Sequence, residues 1–456
     1  MKNLTLNNIT RAVGGTYHGD SSLLEKEVTN VVIDSRKVEP GDLFIAIDGA
    51  RVNAHKFIPD VVAKGALCVI CHEDPGETDY NYILVKSTGQ ALLDTAKLYR
   101  DIINPKVVGV TGSVGKTSTK EMIASVLAQK FKVHKTLGNF NNEWGLPITI
   151  FAMPEDTEVA ILEMGVNHFG EMRRLSSVAN PDICVITNIG VAHLEFFKTR
   201  EGILKEKSSM IQDMKNGGTI LLNGDDDLLS TIGETKGSVP FFFGLGAENA
   251  VFADHVEALG LRGSSCQIHL PDGSSFDCIV PIPGIHMVIN ALAGTSAGLS
   301  LGLTAEEIKA GIEGLPSIPG RNHIIKTDKM IILDDCYNAN PISMKASLDI
   351  LNIAIGRKVA ILGDMGELGE DASTMHQSVG EYAAELGMDV VIGVGPISKA
   401  IQTGAAKNPE TCALWFETKA DLLTELGTII KEGDNVLVKA SHGMHFPEIV
   451  EALEKM

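Results

Sequence analysis

Val108-Gly-Val-Thr-Gly112-Ser113-Val114-Gly115-Lys116-Thr117-Ser118-Thr-Lys120 joins an apolar run, a glycine turn and a Lys-Thr pair. This is the order of a strand feeding a phosphate-cradling loop that opens a helix. The glycines let backbone N–H groups turn inward as an anion nest, and the following helix adds its positive end. Lys116 is long enough to reach terminal phosphates, and the Thr117 hydroxyl suits Mg²⁺. ATP is therefore the expected ligand, held along Gly112, Ser113, Val114, Gly115, Lys116, Thr117 and Ser118. The plain alternative is a glycine turn with no ligand. A generic loop of this kind has another glycine five positions before Gly115, where this chain has Val110.

Working outward, 456 residues exceed one ordinary core and predict two to four domains, with three as the central expectation. The chain is 44% hydrophobic and 21% charged, the balance of a globular protein. No apolar stretch approaches the ~18 residues of a membrane span. Met1 to Asn8 lacks the apolar core of a signal peptide, so a cytoplasmic location is expected; a monomer is the expected state. With 39 basic against 58 acidic residues the net charge is −19, which argues against coating nucleic acid. The seven cysteines read as reduced thiols, and Cys68-Val-Ile-Cys71 as a buried strand rather than a redox or metal motif.

The architecture expected is α/β in three domains. Residues 1–86 hold short strands with turn signals and an amphipathic stretch over 57–65, a small α/β module. Residues 87–315 open with a helical pattern at 90–103 and continue into the loop strand and a helix with Met122, Ile123, Val126 and Leu127 on one face. Further apolar runs, at 159–163, 183–188 and 219–225, end in polar or acidic residues, as parallel strands with working residues at their carboxyl ends do. Gly314-Leu-Pro-Ser-Ile-Pro-Gly-Arg321 marks the second boundary, and 316–456 alternates strand and helix as a Rossmann-like doubly wound unit.

The loop in its Gly-x-x-Gly-Lys-Thr form resembles that of the Mur ligases, ATP-dependent amide-bond enzymes that include the folylpolyglutamate synthases. The resemblance covers nearly the whole chain. It rests further on Asp34-Ser35-Arg36-Lys-Val-Glu-Pro-Gly-Asp-Leu-Phe44-Ile-Ala46, Gly138-Asn-Phe-Asn141-Asn142-Glu-Trp-Gly-Leu-Pro147 and Glu163-Met-Gly165. In the third domain it rests on Asp335-Cys-Tyr-Asn-Ala-Asn-Pro-Ile-Ser-Met344 and Gly363-Asp-Met-Gly-Glu-Leu-Gly369. The Asp-Asn-Pro-Arg motif of the diaminopimelate-adding relative is absent. What the resemblance implies is addition of D-alanyl-D-alanine to a UDP-N-acetylmuramoyl-tripeptide, with the first domain holding UDP and the central one acting as the ATPase.

Glu163 ends an apolar strand, where a carboxylate completes a Mg²⁺ shell with Thr117 or simply caps a helix. By resemblance, His193 in Asn188-Ile-Gly-Val-Ala-His193 binds a second Mg²⁺. Glu201, Lys205, Glu206 and Lys207 read at first as a solvated helix face with one ion pair. The resemblance instead implies that Lys207 is carbamylated by CO₂ and becomes a ligand of the second ion, with Lys205 as the competing candidate. Lys116, Lys207 and His193 are thus the catalytic candidates.

The resemblance further assigns Asn290 to adenine, with His286 one turn before it, and Arg321 and Asp335 to phosphate and ribose. It assigns Ser35, Arg36 and Phe44 to the UDP moiety, and Asn141 and Asn142 to the muropeptide. The plain readings are a linker ion pair for Arg321, a turn acid for Asp335, a surface charge for Arg36 and loop turns for the asparagines. Two departures stand out: Asn53-Ala-His-Lys-Phe57 replaces the usual Asp-Gly-His-Asp-Phe, and Lys439-Ala-Ser-His442-Gly-Met-His445 replaces Lys-Gly-Ser-Arg. A zinc site at His442 and His445 is the alternative reading there. Rival functions are a folylpolyglutamate-type ligase, a P-loop ATPase switch and a nucleotide-sensing module.

Overall fold

A computed structural model describes residues 1–49, 52–190 and 194–456. Three sheets, one in each of three α/β domains, follow one another along the chain. The first has five strands in the order Thr16–His18, Tyr82–Leu84, Cys68–Cys71, Leu43–Ile45, Val31–Val32, parallel except for the first pair. Cys68 and Cys71 are free and buried on their strand.

The central sheet has nine strands in the order Ser275–Val280, Ser264–His269, Val251–Ala258, Phe241–Gly244, Thr219–Asn223, Ile183–Ile186, Lys106–Thr111, Val159–Glu163, Val133–Lys135. Seven run parallel, and the 251–280 segment adds an antiparallel meander at one edge. An all-parallel sheet is therefore not what forms. Val251–Ala258 alternates buried and half-buried positions only in its first half, and its far half has no buried position.

The loop strand Lys106–Thr111 pairs with Val159–Glu163 on one side and Ile183–Ile186 on the other. The chain leaves it in one direction and returns on the opposite side, which opens a crevice at the strands' carboxyl ends. Both faces are covered, so these strands are continuous apolar runs. The helix Lys116–Leu127 buries Met122, Ile123, Val126 and Leu127 against the long helix Ile285–Ser300 and the sheet, as its 3.6-residue spacing requires.

Helix Ala305–Glu313 opens with a capping box between Thr304 and Glu307, and the proline-rich 315–320 segment follows it. The last sheet runs His323–Lys326, Ile331–Asp334, Asn435–Lys439, Lys358–Gly363, Val390–Val394, Cys412–Phe416, parallel after its first pair. Its final strand is inserted between earlier ones, so Asp335 and Lys439, a hundred residues apart in sequence, emerge side by side. No helix among the described residues is long and apolar enough to cross a membrane.

Candidate active site

The glycine loop is built before any ligand arrives. Gly112 adopts φ 151°, and a Cβ there would lie 1.9 Å from Thr187 Oγ1, so only glycine fits. Gly115 starts the helix at φ 82°. Both polar groups of Val114 are held by one side chain: its N–H donates to Asn188 Oδ1 at 2.9 Å, and its carbonyl accepts from Asn188 Nδ2 at 2.9 Å. Thr187 Oγ1 donates to the same carbonyl at 2.7 Å, and Ser113 N–H donates to Asn188 O at 3.0 Å. Sequence reasoning passed over Asn188. Its only signal was an amide residue just past a strand end neighbouring the loop strand.

Lys116 folds over its own loop and donates to Gly112 O at 2.8 Å and Ser113 O at 3.4 Å. Burial holds its ammonium below the usual lysine value, opposed by Glu163 and reinforced by Arg321. These are carbonyls a bound phosphate would displace as acceptors.

Glu163, with a side chain 2% exposed, closes the strand Val159–Glu163. Its Oε1 accepts from Asn141 Nδ2 at 2.8 Å and Thr117 Oγ1 at 3.3 Å, while Oε2 has no hydrogen-bond partner. Lys120 Nζ stands 3.8 Å from that oxygen and donates to Thr136 O. A buried carboxylate oxygen without a hydrogen-bond donor, next to a hydroxyl, suits a hard divalent cation. Glu163 is not a helix cap.

The helix Arg200–Ser208 overturns the solvated-face reading. Glu206 is buried and caps the helix Glu171–Ala179, accepting from Gly170 N–H at 2.9 Å and Met172 N–H at 2.8 Å. Lys207 is 0% exposed and its Nζ has no partner, whereas Lys205 is exposed. Burial pushes the Lys207 amine well below the usual lysine range, with Lys116 adding to the effect and Glu206 opposing it. His193 lies outside the described residues.

Two cavities meet at the loop. The larger, about 520 Å³, lies between the central and C-terminal domains and is lined by Val114, Gly115, Ser118, Asn188, Asn290, Arg321 and Asp335, with Phe243, Ile289 and Ile342 supplying apolar surface. The smaller, about 260 Å³, lies on the loop's other side and is lined by Lys116, Thr117, Asn141, Asn142, Glu163, Tyr337 and His442. Val114, Gly115, Arg321 and Ser343 border both.

Arg321 reaches across the domain boundary. Its guanidinium donates to Thr117 Oγ1 at 3.3 Å and its carbon stacks 3.9 Å above the Tyr337 ring centroid. This is not a linker ion pair. Asp335 is not a turn acid either: it is 5% exposed and accepts from Lys439 Nζ at 2.5 Å, Ser347 Oγ at 2.6 Å and Asn322 N–H at 3.3 Å. Asn290 accepts from Thr119 Oγ1 at 2.8 Å, and His286 meets Asn322 Nδ2 at 3.0 Å, another contact between domains.

The remaining candidates divide. Asn142 Oδ1 accepts from Trp144 N–H and Gly145 N–H at 3.1 and 2.8 Å, so its side chain shapes the turn even as the residue borders the cavity. Phe44 is 0% exposed in the first domain's core with Val32, Ala46 and Val69, between its two flanking strands and the helix Ile58–Ala63, out of reach of any ligand. Ser35 and Arg36 stand outside on a turn whose first residue, Asp34, is chelated by Arg36 through bonds of 2.9 and 2.7 Å. That pairing holds the Asp34 carboxyl down at about 2.

His442 and His445 assemble no metal cluster among the described residues. The one triad of possible ligands that meets is His55, His72 and Glu73. There His55 Nε2 accepts from His72 N–H at 3.1 Å and Nδ1 faces Asn53 Oδ1 at 2.8 Å, so both ring nitrogens serve the fold.

Comparison with known proteins agrees with this geometry. Models of the Mur ligase family catalytic domain, the Mur ligase middle domain and the Mur ligase glutamate ligase domain match residues 27–106, 110–298 and 320–442. The UDP-N-acetylmuramoyl-tripeptide–D-alanyl-D-alanine ligase of Bacillus subtilis is 37% identical over 98% of both chains. The crystal structure of MurF from Acinetobacter baumannii superposes with a TM-score of 0.91 at 32% identity, covering 99% of each chain. MurF ligase from Thermotoga maritima in complex with ADP gives 0.84 at 30% identity, over 93% of this chain and 97% of that one. By fold, by loop and by full-length identity, this chain belongs to the Mur ligase family.

Proposed function

We propose that the protein is an ATP-dependent ligase that joins D-alanyl-D-alanine to the terminal carboxylate of a UDP-N-acetylmuramoyl-tripeptide, in peptidoglycan precursor synthesis. The observation that carries this is the pair of cavities sharing one glycine loop. ATP in the larger one and a carboxylate in the smaller one would meet at the loop's rim, with Lys116 and Arg321 between them. The relative from Bacillus subtilis carries this activity in its name, and the Thermotoga maritima relative was solved with ADP.

A carboxylate and an ammonium do not condense at neutral pH, because hydroxide is a poor leaving group. Transfer of the terminal phosphoryl to the tripeptide carboxylate gives an acyl phosphate, and the dipeptide amine displaces phosphate through a tetrahedral intermediate. Lys116 offsets the repulsion between phosphate and carboxylate, and Arg321, reaching across from the C-terminal domain, completes the positive wall. Asn188 holds the loop open for phosphate, and Asn290 lies where the adenine would rest. No protein nucleophile is required.

Thr117 and Glu163 would hold one Mg²⁺, and His193 with a carbamate on Lys207 would hold a second. The ions would supply charge neutralisation along the phosphates. Burial makes the proton of the Lys207 amine easier to lose, and the neutral amine is the form that adds CO₂, which supports the carbamate. We assign UDP to the surface around Ser35 and Arg36, and the muropeptide to Asn141. Residues 1–86, 87–315 and 316–456 are taken as the three domains, each with one of the sheets. A monomer working in the cytoplasm fits this role.

The test is ADP release across UDP-muropeptides with and without D-Ala-D-Ala. Release that needs both substrates supports the ligase; release with neither points to an ATPase switch.

A further inference from the structure

Amide formation takes two protons from the attacking nitrogen, and the first must leave before attack. An α-ammonium has an ordinary pKa of about 7.7–8.0, so at neutral pH most of the dipeptide lacks the lone pair it needs. Among the described residues, the ionisable side chains bordering the smaller cavity are Lys116, Glu163, Arg321, Tyr337 and His442. Lys116 spends its protons on Gly112 O and Ser113 O. Glu163 Oε1 is engaged by Asn141 and Thr117, with the other oxygen fitted to a cation. Arginine does not deprotonate. The Tyr337 phenol is pushed up by burial and holds its proton.

His442 is left over. Its imidazole touches the Tyr337 ring at 5.7 Å between centroids, and among the described residues no hydrogen bond occupies either ring nitrogen. Its backbone is nonetheless fixed. Ser441 N–H donates to Asp364 O at 3.1 Å, Ser441 Oγ accepts from Gly366 N–H at 2.8 Å, and His445 N–H closes the turn on His442 O at 3.3 Å. The charged or titratable groups on the elements packed around this turn are Arg321 and Tyr337 in front, Asp364 and Glu367 in the 363–369 loop, and Lys419, His445 and Glu448 behind. The residue is exposed, so a proton taken from the cavity has a way to water.

We propose that His442 is the general base for the incoming amine. One ring nitrogen takes a proton from the D-alanyl-D-alanine ammonium. The freed lone pair forms the C–N bond, the C–O bond to phosphate breaks, and the second nitrogen proton leaves on the departing phosphate. The imidazolium returns its proton to solvent.

This inference rests on the ligase reading, and one set of assays separates the two. Acyl phosphate formation is followed by trapping with hydroxylamine, a nucleophile already unprotonated at neutral pH, and ligation by product formation with D-Ala-D-Ala. In His442→Gln, ligation should fall by about 10²-fold or more while hydroxylamine trapping is unchanged. His442→Arg should behave like His442→Gln. Equal loss in both assays, unchanged ligation, or full activity in the arginine variant overturns the base. If the wild-type protein makes neither product, the ligase reading itself fails.

Discussion

Lys207 in the central domain and Lys439 in the C-terminal domain are the same residue at the same depth, 0% and 1% exposed. Their surroundings are opposite. Lys439 meets Asp335, Asn338 O and, through Asp335, Ser347, so its charge is matched where two neighbouring strands end. Lys207 Nζ has no hydrogen-bond partner among the described residues, and Glu206 beside it has both oxygens committed to the amides of Gly170 and Met172. A buried amine without a partner contributes no stability as an ammonium; it gives up its proton and becomes a nucleophile. One lysine is an architectural tie, and the other is a group awaiting chemistry.

Removing each amine separates the two cases. Lys439→Met leaves Asp335 charged and buried without its counterion, and should cost about 3–5 kcal/mol, read as a lower midpoint in urea unfolding of the C-terminal domain. Lys207→Met should lose no stability, while ligase activity drops by about 10²–10³-fold. Short carboxylates added to Lys207→Ala should restore part of it. The pH response differs as well. The folded-state pKa of Lys207 is depressed, so the unfolded chain binds more protons and wild-type stability rises with pH up to about 10.4, the unfolded lysine value. Lys207→Met should flatten that rise. A variant at 207 as unstable as the one at 439 would mean that the amine has a structural partner.

Asn188 brings the contrast to the loop itself. It is paired like Lys439, yet what it holds is a ligand site. Asn188→Ala frees the N–H and carbonyl of Val114, and the loop should lose its open shape at about 1–2 kcal/mol, close to a tenfold rise in the ATP dissociation constant. Titration of a nucleotide analogue checks it; unchanged affinity would show that the glycines suffice.

What the sequence revealed follows the range of each interaction. The loop was legible because residues 108–120 are contiguous and their geometry is local. Glu163 was legible as a strand end next to that loop. Lys207 was not readable from its own helix, since Glu201, Lys205, Glu206 and Lys207 look like a solvated face. Only the amides of Gly170 and Met172, brought in by another helix, turn Glu206 inward and bury its neighbour. Asn188 escaped for the same reason, because its clamp joins two strands that sequence does not show to be neighbours. Phe44 illustrates the reverse error. It stands in a matching motif, but both faces of its strand are buried, so its ring lies in the core, while Ser35 and Arg36 stay on an outer turn. The antiparallel edge at 251–280 was missed because its short strands carry no long-range signal of direction.

The smallest effect lies behind the turn that carries His442, where His376 is 0% exposed. Its Nε2 accepts from Met365 N–H at 2.8 Å and its Nδ1 faces Ala372 O at 2.6 Å, which requires the neutral ring with the proton on Nδ1. Met365 belongs to the 363–369 loop, whose Gly366 holds Ser441. Burial depresses the histidine pKa in the folded state. Its contribution to stability is therefore fully present above the unfolded value, about 6.5, and is lost as pH falls toward the folded value. Below that window a proton on Nε2 would oppose the Met365 N–H, at a cost of about 1 kcal/mol. The thermal stability of the wild-type protein should thus exceed that of His376→Gln above neutrality and converge with it in acid. A gap that stays constant with pH would show that the two differ in packing alone, and that the loop beneath His442 is held by its backbone.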